Sequence, residues 1–220
     1  ASISPRLAAA EAAEAAASDR AAGRLRAAES LGEIEAEVAA CGACRLASSG
    51  RTRTAFGEGV PDPTVLVVGE GPGAEEDAQG LPFVGPAGKL LDKMLASIGL
   101  SRRTNCYIAN VVKCRPPENR DPAPDEEEAC LGYLRRQVAL LGPRYILCVG
   151  RVAAQALTGS KDGINKLRGR WLEFEGIPLL ATFHPSALLR DEALKRPAWE
   201  DLKVLKARMT ADAEPPPSDG

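Results

Sequence analysis

The chain has 220 residues, 45% of them hydrophobic, which is enough to bury one sizeable core and favours one domain with tails over two domains. The formal net charge is only −2, so bulk charge neither supports nor excludes a nucleic-acid partner, which would need a local basic patch. No run of 18 apolar residues occurs, and this predicts a cytoplasmic protein, monomeric by default, with no membrane partner.

The two ends of the chain differ in composition from its centre. Residues 1–40 are rich in Ala, Glu and Arg, which favour helix but offer little bulk to bury, so we expect a helical or disordered extension. Residues 210–220 contain the run Pro215–Pro217 and predict a disordered tail. The functional domain should therefore occupy residues 41–209.

Within that domain, short apolar runs alternate with amphipathic segments of helical length. Short continuous apolar runs are typical of strands that are covered on both faces. The pattern predicts an α/β fold, a three-layer α/β/α sandwich with a central, mainly parallel four-stranded sheet. The apolar runs lie at 65–68, 107–109, 145–149, 171–174 and 178–183, and the helical segments at 86–98, 125–141, 151–157 and 199–209.

Ligands of such sheets bind beyond the carboxyl ends of the strands, so the residues that follow each run are candidates for a site. The segment Gly69–Ala74 superficially matches a dinucleotide-binding fingerprint. Pro72 removes an amide donor there, and the acidic run Glu75–Asp77 would repel phosphate, so nicotinamide or flavin binding is disfavoured. The glycines are better suited to close approach of the backbone to a ligand.

Three side chains near these strand ends carry useful chemistry. His184 is the only histidine and ends an apolar run, where it could be structural or catalytic. The Asn110 amide could pair with the edge of a nucleobase or simply end a strand. Phe83 lies in a Gly/Pro-rich loop and could stack on a base or fill the core.

Basic residues form two local clusters despite the acidic balance of the chain. Such runs are usually solvated faces, but these lie beside candidate site residues, so we expect phosphate contacts. The first cluster comprises Arg102, Arg103, Lys113, Arg115 and Arg120, and the second comprises Lys161, Lys166, Arg168 and Arg170.

Four of the six cysteines, Cys41, Cys44, Cys114 and Cys130, lie outside the predicted strands and are candidate metal ligands. The other two, at 106 and 148, lie within apolar runs and are assigned to the core. Both zinc and an iron–sulfur cluster take four thiolates. Because only one C-x-x-C pair is present, a [4Fe–4S] cluster is favoured and zinc is the alternative.

Together these features resemble the family-four uracil-DNA glycosylases, the iron–sulfur branch of the uracil-DNA glycosylase superfamily. The resemblance extends from about Cys41 to Leu205. The motifs that carry it are Cys41-Gly-Ala-Cys44-Arg-Leu46, Phe56-Gly-Glu-Gly59, Gly69-Glu-Gly-Pro-Gly-Ala-Glu-Glu-Asp77, Gly80-Leu-Pro-Phe-Val-Gly85, Asn110-Val-Val-Lys-Cys-Arg-Pro-Pro117 and His184-Pro-Ser186.

The resemblance implies an enzyme that flips uracil out of single- or double-stranded DNA and hydrolyses its N-glycosidic bond. The product would be an abasic site, which begins base-excision repair. Phe83 would stack on the flipped base, Asn110 would read its Watson–Crick edge, and His184 would stabilise negative charge on uracil O2. Cys41, Cys44, Cys114 and Cys130 would hold the [4Fe–4S] cluster.

Further roles follow from the same resemblance. Gly71 takes the place of the aspartate that orients water in the classical enzymes, which leaves Glu70 and Glu76 as the carboxylates available to position water or the loop. The Ser186 hydroxyl could orient the histidine ring. Leu188 is the candidate wedge for the gap left by the base, or an ordinary helix-packing residue. The alternative function is a catalytically inactive iron–sulfur DNA-binding protein.

Overall fold

The computed structural model describes residues 30–213, so residues 1–29 of the predicted extension and residues 214–220 of the predicted tail lie outside the described range. Helix α1 (Leu31–Ala39) begins at a capping box in which the Ser30 hydroxyl accepts from the Glu33 amide. Its buried side chains, Ile34 and Val38, pack with Phe56. The part of the extension from Leu31 onward is therefore helical and packed against the domain.

The described residues form one six-stranded sheet in the order β1-β3-β2-β4-β6-β5. The four central strands are parallel, and β1 and β5 pair antiparallel at the two edges. The predicted count of four strands was wrong: β1 has only two residues and no apolar run, and the predicted run at 171–174 joins the sheet as an additional antiparallel edge strand. The strands are β1 (Glu58–Gly59), β2 (Val65–Gly69), β3 (Cys106–Asn110), β4 (Tyr145–Val149), β5 (Trp171–Phe174) and β6 (Ile177–Thr182).

Helices connect the parallel strands and cover the sheet. Two helices begin with a proline in the first turn, Pro86 and Pro124, which favours a helix start. Left-handed glycines at 142 and 159 end the helices at 124–141 and 151–158. Through residues 30–213, none of the helices is long and apolar enough to cross a membrane. The remaining helices are α2 (Ala74–Gln79), α3 (Pro86–Ala96), α4 (Pro124–Leu141), α5 (Arg151–Thr158), α6 (Ile164–Leu167), α7 (Pro185–Arg190) and α8 (Lys195–Ala211), with 3-10 turns at Arg45–Ser48, Pro117–Asn119 and Glu192–Leu194.

Each face of the sheet has its own hydrophobic core, because successive side chains of a strand point to opposite faces. Leu66 and Val68 of β2 pack on the face covered by α4 and α5. Val65 and Val67 pack on the face covered by α3 and α8. The predicted three-layer α/β/α sandwich is confirmed.

Because β2, β3, β4 and β6 are parallel, their carboxyl ends meet at one edge of the sheet. Glu70, Gly150 and His184 follow three of these strands closely, and Asn110 is the last residue of the fourth. The topology therefore gathers the residues that the sequence places far apart.

Candidate active site and cysteine cavity

The Asn110 side chain is buried at the end of β3, with only 1% of its surface exposed. Its Oδ1 is the one buried side-chain nitrogen or oxygen in residues 30–213 that lacks a hydrogen-bond partner. Such an orphaned acceptor is costly and usually marks a ligand or functional site. Gly69 lies against it, because a Cβ at this glycine would fall 2.5 Å from Asn110 Oδ1 and 2.5 Å from Phe83 Cζ.

Phe83 is held in an unusual backbone conformation beside this acceptor. Its φ is +54°, a left-handed value that is uncommon for an aromatic residue and is kept only when surrounding contacts enforce it. Helix α3 passes so close that a Cβ on Gly88 would lie 1.8 Å from the Phe83 carbonyl oxygen. The Phe83 ring lies 5.7 Å from the His184 ring, at 35°. The fold thus brings together the three side chains expected to handle a base.

His184 caps the first turn of α7, and its Nδ1 accepts a hydrogen bond from the Ser186 backbone N–H at 3.1 Å. The Ser186 hydroxyl lies 2.7 Å from the same nitrogen. Desolvation, with a smaller contribution from Arg190, lowers the pKa of His184 to about 4, while Glu76 opposes the shift. The ring is therefore neutral at pH 7, and because Nδ1 must offer its lone pair, the proton lies on Nε2.

Two glycines at the sheet edge leave room for neighbouring side chains. A Cβ on Gly150, whose φ is +105°, would lie 3.1 Å from the His184 Cβ. A Cβ on Gly71 would lie 2.7 Å from Val112 Cγ2. Gly71, proposed from the sequence as a substrate-binding position, is therefore packed against the loop after β3 and has no space for an aspartate side chain.

The Glu76 carboxylate is occupied by backbone amides. Its Oε1 accepts from the N–H groups of Val84 and Gly85, each at 2.9 Å, and its Oε2 accepts from Gly73 N–H at 3.1 Å. Glu76 thus ties the loop after β2 to the loop that carries Phe83. This geometry matches loop positioning, one of the two roles that the sequence left open for this carboxylate.

Glu70 lies in a different electrostatic setting. Burial and the nearby carboxylates of Asp121 and Glu127 raise its pKa to about 7, while Arg151 opposes the shift. A carboxyl group that titrates near neutrality is suited to exchange a proton with water at physiological pH. Glu70 and Glu76, which lie in one motif six residues apart, therefore have different electrostatic surroundings.

Leu188 was proposed from the sequence as a wedge, but only 2% of its surface is exposed, and it packs in the core between α3 and α8. The geometry matches the alternative role, helix packing. The next residue, Leu189, has 50% of its surface exposed beside the histidine motif. Sequence reasoning missed Leu189 because the short helix α7 was not predicted, and its helical phase decides which leucine faces out.

Several members of the two basic clusters are used inside the protein. Lys113 is buried, and its Nζ donates to the Asn110 carbonyl at 2.8 Å and to Gln137 Oε1 at 2.5 Å. Arg120 pairs with the buried Glu126, and Arg168 pairs with the buried Asp201. Lys113 and Arg168 are therefore engaged in holding the fold rather than displayed for phosphate, whereas Arg120 stays exposed while it pairs with Glu126. The exposed basic residues of the two clusters are Arg103, Arg120, Lys161, Lys166 and Arg170.

The four cysteines proposed as metal ligands line one cavity. The first two flank the turn after α1, the third follows β3, and the fourth lies on α4, so the fold closes the long gaps between them. All four are free thiols: Cys41, Cys44, Cys114 and Cys130. A cavity lined by four thiols has the donor chemistry that both iron–sulfur clusters and zinc require.

Cationic groups adjoin this cavity. Arg51 Nη1 donates to Cys114 Sγ at 2.9 Å, and Lys113 also lines the cavity. Burial raises the pKa of Cys130 to about 11, and Lys113 opposes that shift. In residues 30–213, no set of three or more His, Cys, Asp or Glu side chains is already drawn together as a metal-ion site. The remaining thiols, Cys106 and Cys148, are fully buried, as predicted.

Comparison with known proteins places this arrangement in a family. The model of the uracil DNA glycosylase superfamily matches residues 56–203. The type-4 uracil-DNA glycosylase of Archaeoglobus fulgidus is 43% identical over 80% of this chain and 92% of its own length. That of Thermotoga maritima is 44% identical over 81% and 95%. A type-5 uracil-DNA glycosylase of Pyrobaculum aerophilum is more distant, 31% identical over 68% and 72%. The chain therefore belongs to the uracil DNA glycosylase superfamily, in its type-4 branch.

Proposed function

We propose that this protein is a monofunctional uracil-DNA glycosylase that flips uracil out of DNA and hydrolyses its N-glycosidic bond, leaving an abasic site for base-excision repair. The observation that carries the proposal is the orphaned Asn110 Oδ1 beside the Phe83 ring. Uracil offers an N3–H donor to this oxygen and a carbonyl to the amide nitrogen, whereas cytosine offers an acceptor and a donor in the opposite order. The site therefore selects uracil over cytosine.

His184 supplies the main electrostatic contribution to bond breaking in this proposal. As the glycosidic bond breaks, negative charge develops on the departing uracil and positive charge on the sugar. The Nε2–H of a neutral, partly buried His184 donates to uracil O2 and stabilises this charge better in the transition state than in the substrate. Loss of such a donor should cost on the order of 3 to 4 kcal/mol of transition-state stabilisation.

Glu70 is the carboxylate that we assign to the attacking water. Its pKa of about 7 leaves a substantial ionised fraction at neutral pH. Within residues 30–213, no backbone amide donates to its carboxylate, in contrast to the Glu76 carboxylate. An ionised Glu70 would orient water and favour the sugar cation. Glu76 would act indirectly by holding the Phe83 loop.

Cys41, Cys44, Cys114 and Cys130 would hold a [4Fe–4S] cluster, with zinc as the alternative. The support is their common cavity and the Arg51 hydrogen bond to one of the thiols. Bound there, the cluster would be structural, because it would tie the segment after α1 to the loop that follows Asn110. Iron, sulfide and zinc analysis of the purified full chain would distinguish the two, and zinc without iron would overturn the cluster assignment.

The substrate in this proposal is uracil-containing DNA, single- or double-stranded, bound by a monomer. Exposed cations beside the site, including Arg103 and Arg190, are available for the phosphates. The alternative, an inactive iron–sulfur DNA-binding protein, needs neither a neutral histidine at the site nor an orphaned acceptor for a base. The presence of both features favours the enzyme.

The test is cleavage of a uracil-containing oligonucleotide after alkali treatment, with a thymine oligonucleotide as the control. Wild-type protein should cleave only the uracil strand, and His184→Ala should bind DNA yet lose most excision. Uracil-independent cleavage, or wild-type rates in the variant, would contradict the proposed mechanism. Binding without any excision by the cluster-loaded wild type would favour the inactive binding protein.

A further inference from the structure

Arg102 lies in the turn between α3 and β3, outside every motif to which a role in uracil excision was assigned. Its side chain is only 13% exposed, although it belongs to a cluster that the sequence marked for phosphate contact. A guanidinium has five N–H donors in a rigid fork. At Arg102 those donors are directed into the protein, toward the loop that carries Phe83.

Two of the acceptors are backbone carbonyls of that loop. Arg102 Nη1 donates to the Pro82 oxygen at 3.1 Å, and Nη2 donates to the Phe83 oxygen at 3.0 Å. These carbonyls flank the strained φ of Phe83. A left-handed aromatic residue stays in place only where neighbouring contacts enforce it, and the guanidinium supplies two of those contacts directly.

The guanidinium is itself fixed by two carboxylates on different elements. Its Nε and Nη2 donate to Asp92 Oδ1 of α3 at 3.0 and 2.9 Å, and Nη1 donates to Glu58 Oε2 of β1 at 2.6 Å. Asp92 and Glu58 are partly exposed, so water can solvate them if the arginine is removed. Without Arg102, the Pro82 and Phe83 carbonyls would lose their hydrogen bonds to a charged donor.

We propose that Arg102 is a positioning residue for uracil excision, which sets the place of the Phe83 ring over the flipped base by anchoring the Pro82 and Phe83 carbonyls to β1 and α3. The proposal rests on the proposed function, since it gives the ring its role in base stacking. It assigns no contact between Arg102 and DNA. The Phe83 ring in turn lies against His184, so a shift of the loop disturbs both sides of the base pocket.

The experiment is a double-mutant cycle on the full chain with Arg102→Met and Phe83→Ala, measured as kcat and KM on a uracil oligonucleotide. Arg102→Met alone should lower kcat by about ten- to a hundredfold, the scale on which misplacement of a positioning group by an ångström acts. In the Phe83→Ala background the same change should cost about twofold or less, because the ring it positions is absent. Equal losses in both backgrounds would overturn the proposal.

Two controls separate positioning from other roles. Lys89→Met removes an exposed cation of α3 that lines the same surface groove as Arg102, and it should leave kcat near wild type. Arg102→Met should leave the slope of log affinity against log salt unchanged, whereas a phosphate contact would reduce it by about 1. A reduced slope would replace the positioning role with DNA binding.

If Arg102→Met does not fold, Arg102→Lys keeps the charge but lacks the fork that reaches both carbonyls, and it should show the same coupling to Phe83→Ala. Additive losses in that cycle would also overturn the proposal. Failure of the underlying function is distinguishable, because it would appear as absent excision in the wild type.

Discussion

The Ser186 backbone N–H donates to Nδ1 of His184 over 3.1 Å, and this single contact fixes where the ring proton lies. A nitrogen that accepts from an amide cannot itself carry a proton, so the neutral ring must be protonated at Nε2. Because burial lowers the pKa of the ring to about 4, this tautomer is the resting form across neutral pH. The histidine is thus prepared to donate a hydrogen bond rather than to bring a positive charge.

The tautomer can be observed directly, since His184 is the only histidine in the chain. In the untagged protein, NMR of the ring nitrogens should give an Nε2–H signature at pH 7 and a titration near pH 4 rather than 6.5. A titration near the ordinary histidine value, or an Nδ1–H signature, would contradict the assignment. Ser186→Ala should keep the tautomer, because the backbone N–H remains.

The lowered pKa of His184 makes the stability of the folded protein depend on pH. The folded-state pKa of His184 lies below the ordinary value, so the unfolded chain binds the proton first as the pH falls. The neutral ring therefore makes its full contribution to the free energy of unfolding above about pH 6.5, and this contribution is lost as the pH falls toward 4. Denaturant midpoints should fall more steeply over this range in wild type than in His184→Asn.

Glu70 should set an acidic limb in the pH profile of kcat/KM near pH 7, with activity rising as the carboxyl group ionises. Asp121→Asn removes a carboxylate that raises this pKa and should move the limb to lower pH. Arg151→Gln removes an opposing cation and should move it to higher pH. Glu70→Gln should abolish the limb, and an unchanged limb in that variant would assign the titration to another group.

Gly69→Ala should disrupt base recognition while leaving the sheet intact. The added Cβ would fall 2.5 Å from Asn110 Oδ1 and from Phe83 Cζ, so one or both side chains must shift. We expect about a ten- to hundredfold loss of kcat/KM, as for other displacements of positioned groups. Gly132→Ala is the matched control, because a Cβ there meets nothing within 4 Å. Full activity of Gly69→Ala would argue against a pocket between these residues.

Alanine substitutions at Leu189 and at Leu188 should have different effects on excision and on stability. Leu189→Ala removes an exposed side chain, so stability should change by less than about 0.5 kcal/mol, while excision from double-stranded DNA falls more than from single strands. Leu188→Ala opens a core cavity and should cost about 2 to 5 kcal/mol of unfolding free energy. Equal losses of excision from both DNA forms in Leu189→Ala would argue that the exposed Leu189 does not fill the gap left by the flipped base.

Hydrophobic periodicity was sufficient for the four central strands, because each contains a short, buried apolar run such as Tyr145–Val149. It was insufficient for β1, which has only two partly exposed residues and pairs through its backbone. The short helix α7 was missed for a similar reason: six residues carry too little periodic signal. Without that helix, the sequence did not show that Leu189 is exposed and Leu188 is buried after the histidine motif.

The α/β class, the strand ends and the candidate site residues can be predicted from the sequence, because they follow from local patterns and from residue types. The burial and the contacts of those residues depend on the tertiary structure. It buried Lys113 and directed Arg102 inward, although both looked like phosphate contacts along the chain. It also gave Glu70 and Glu76 different surroundings, since desolvation and hydrogen-bond partners are set by parts of the chain far away in sequence.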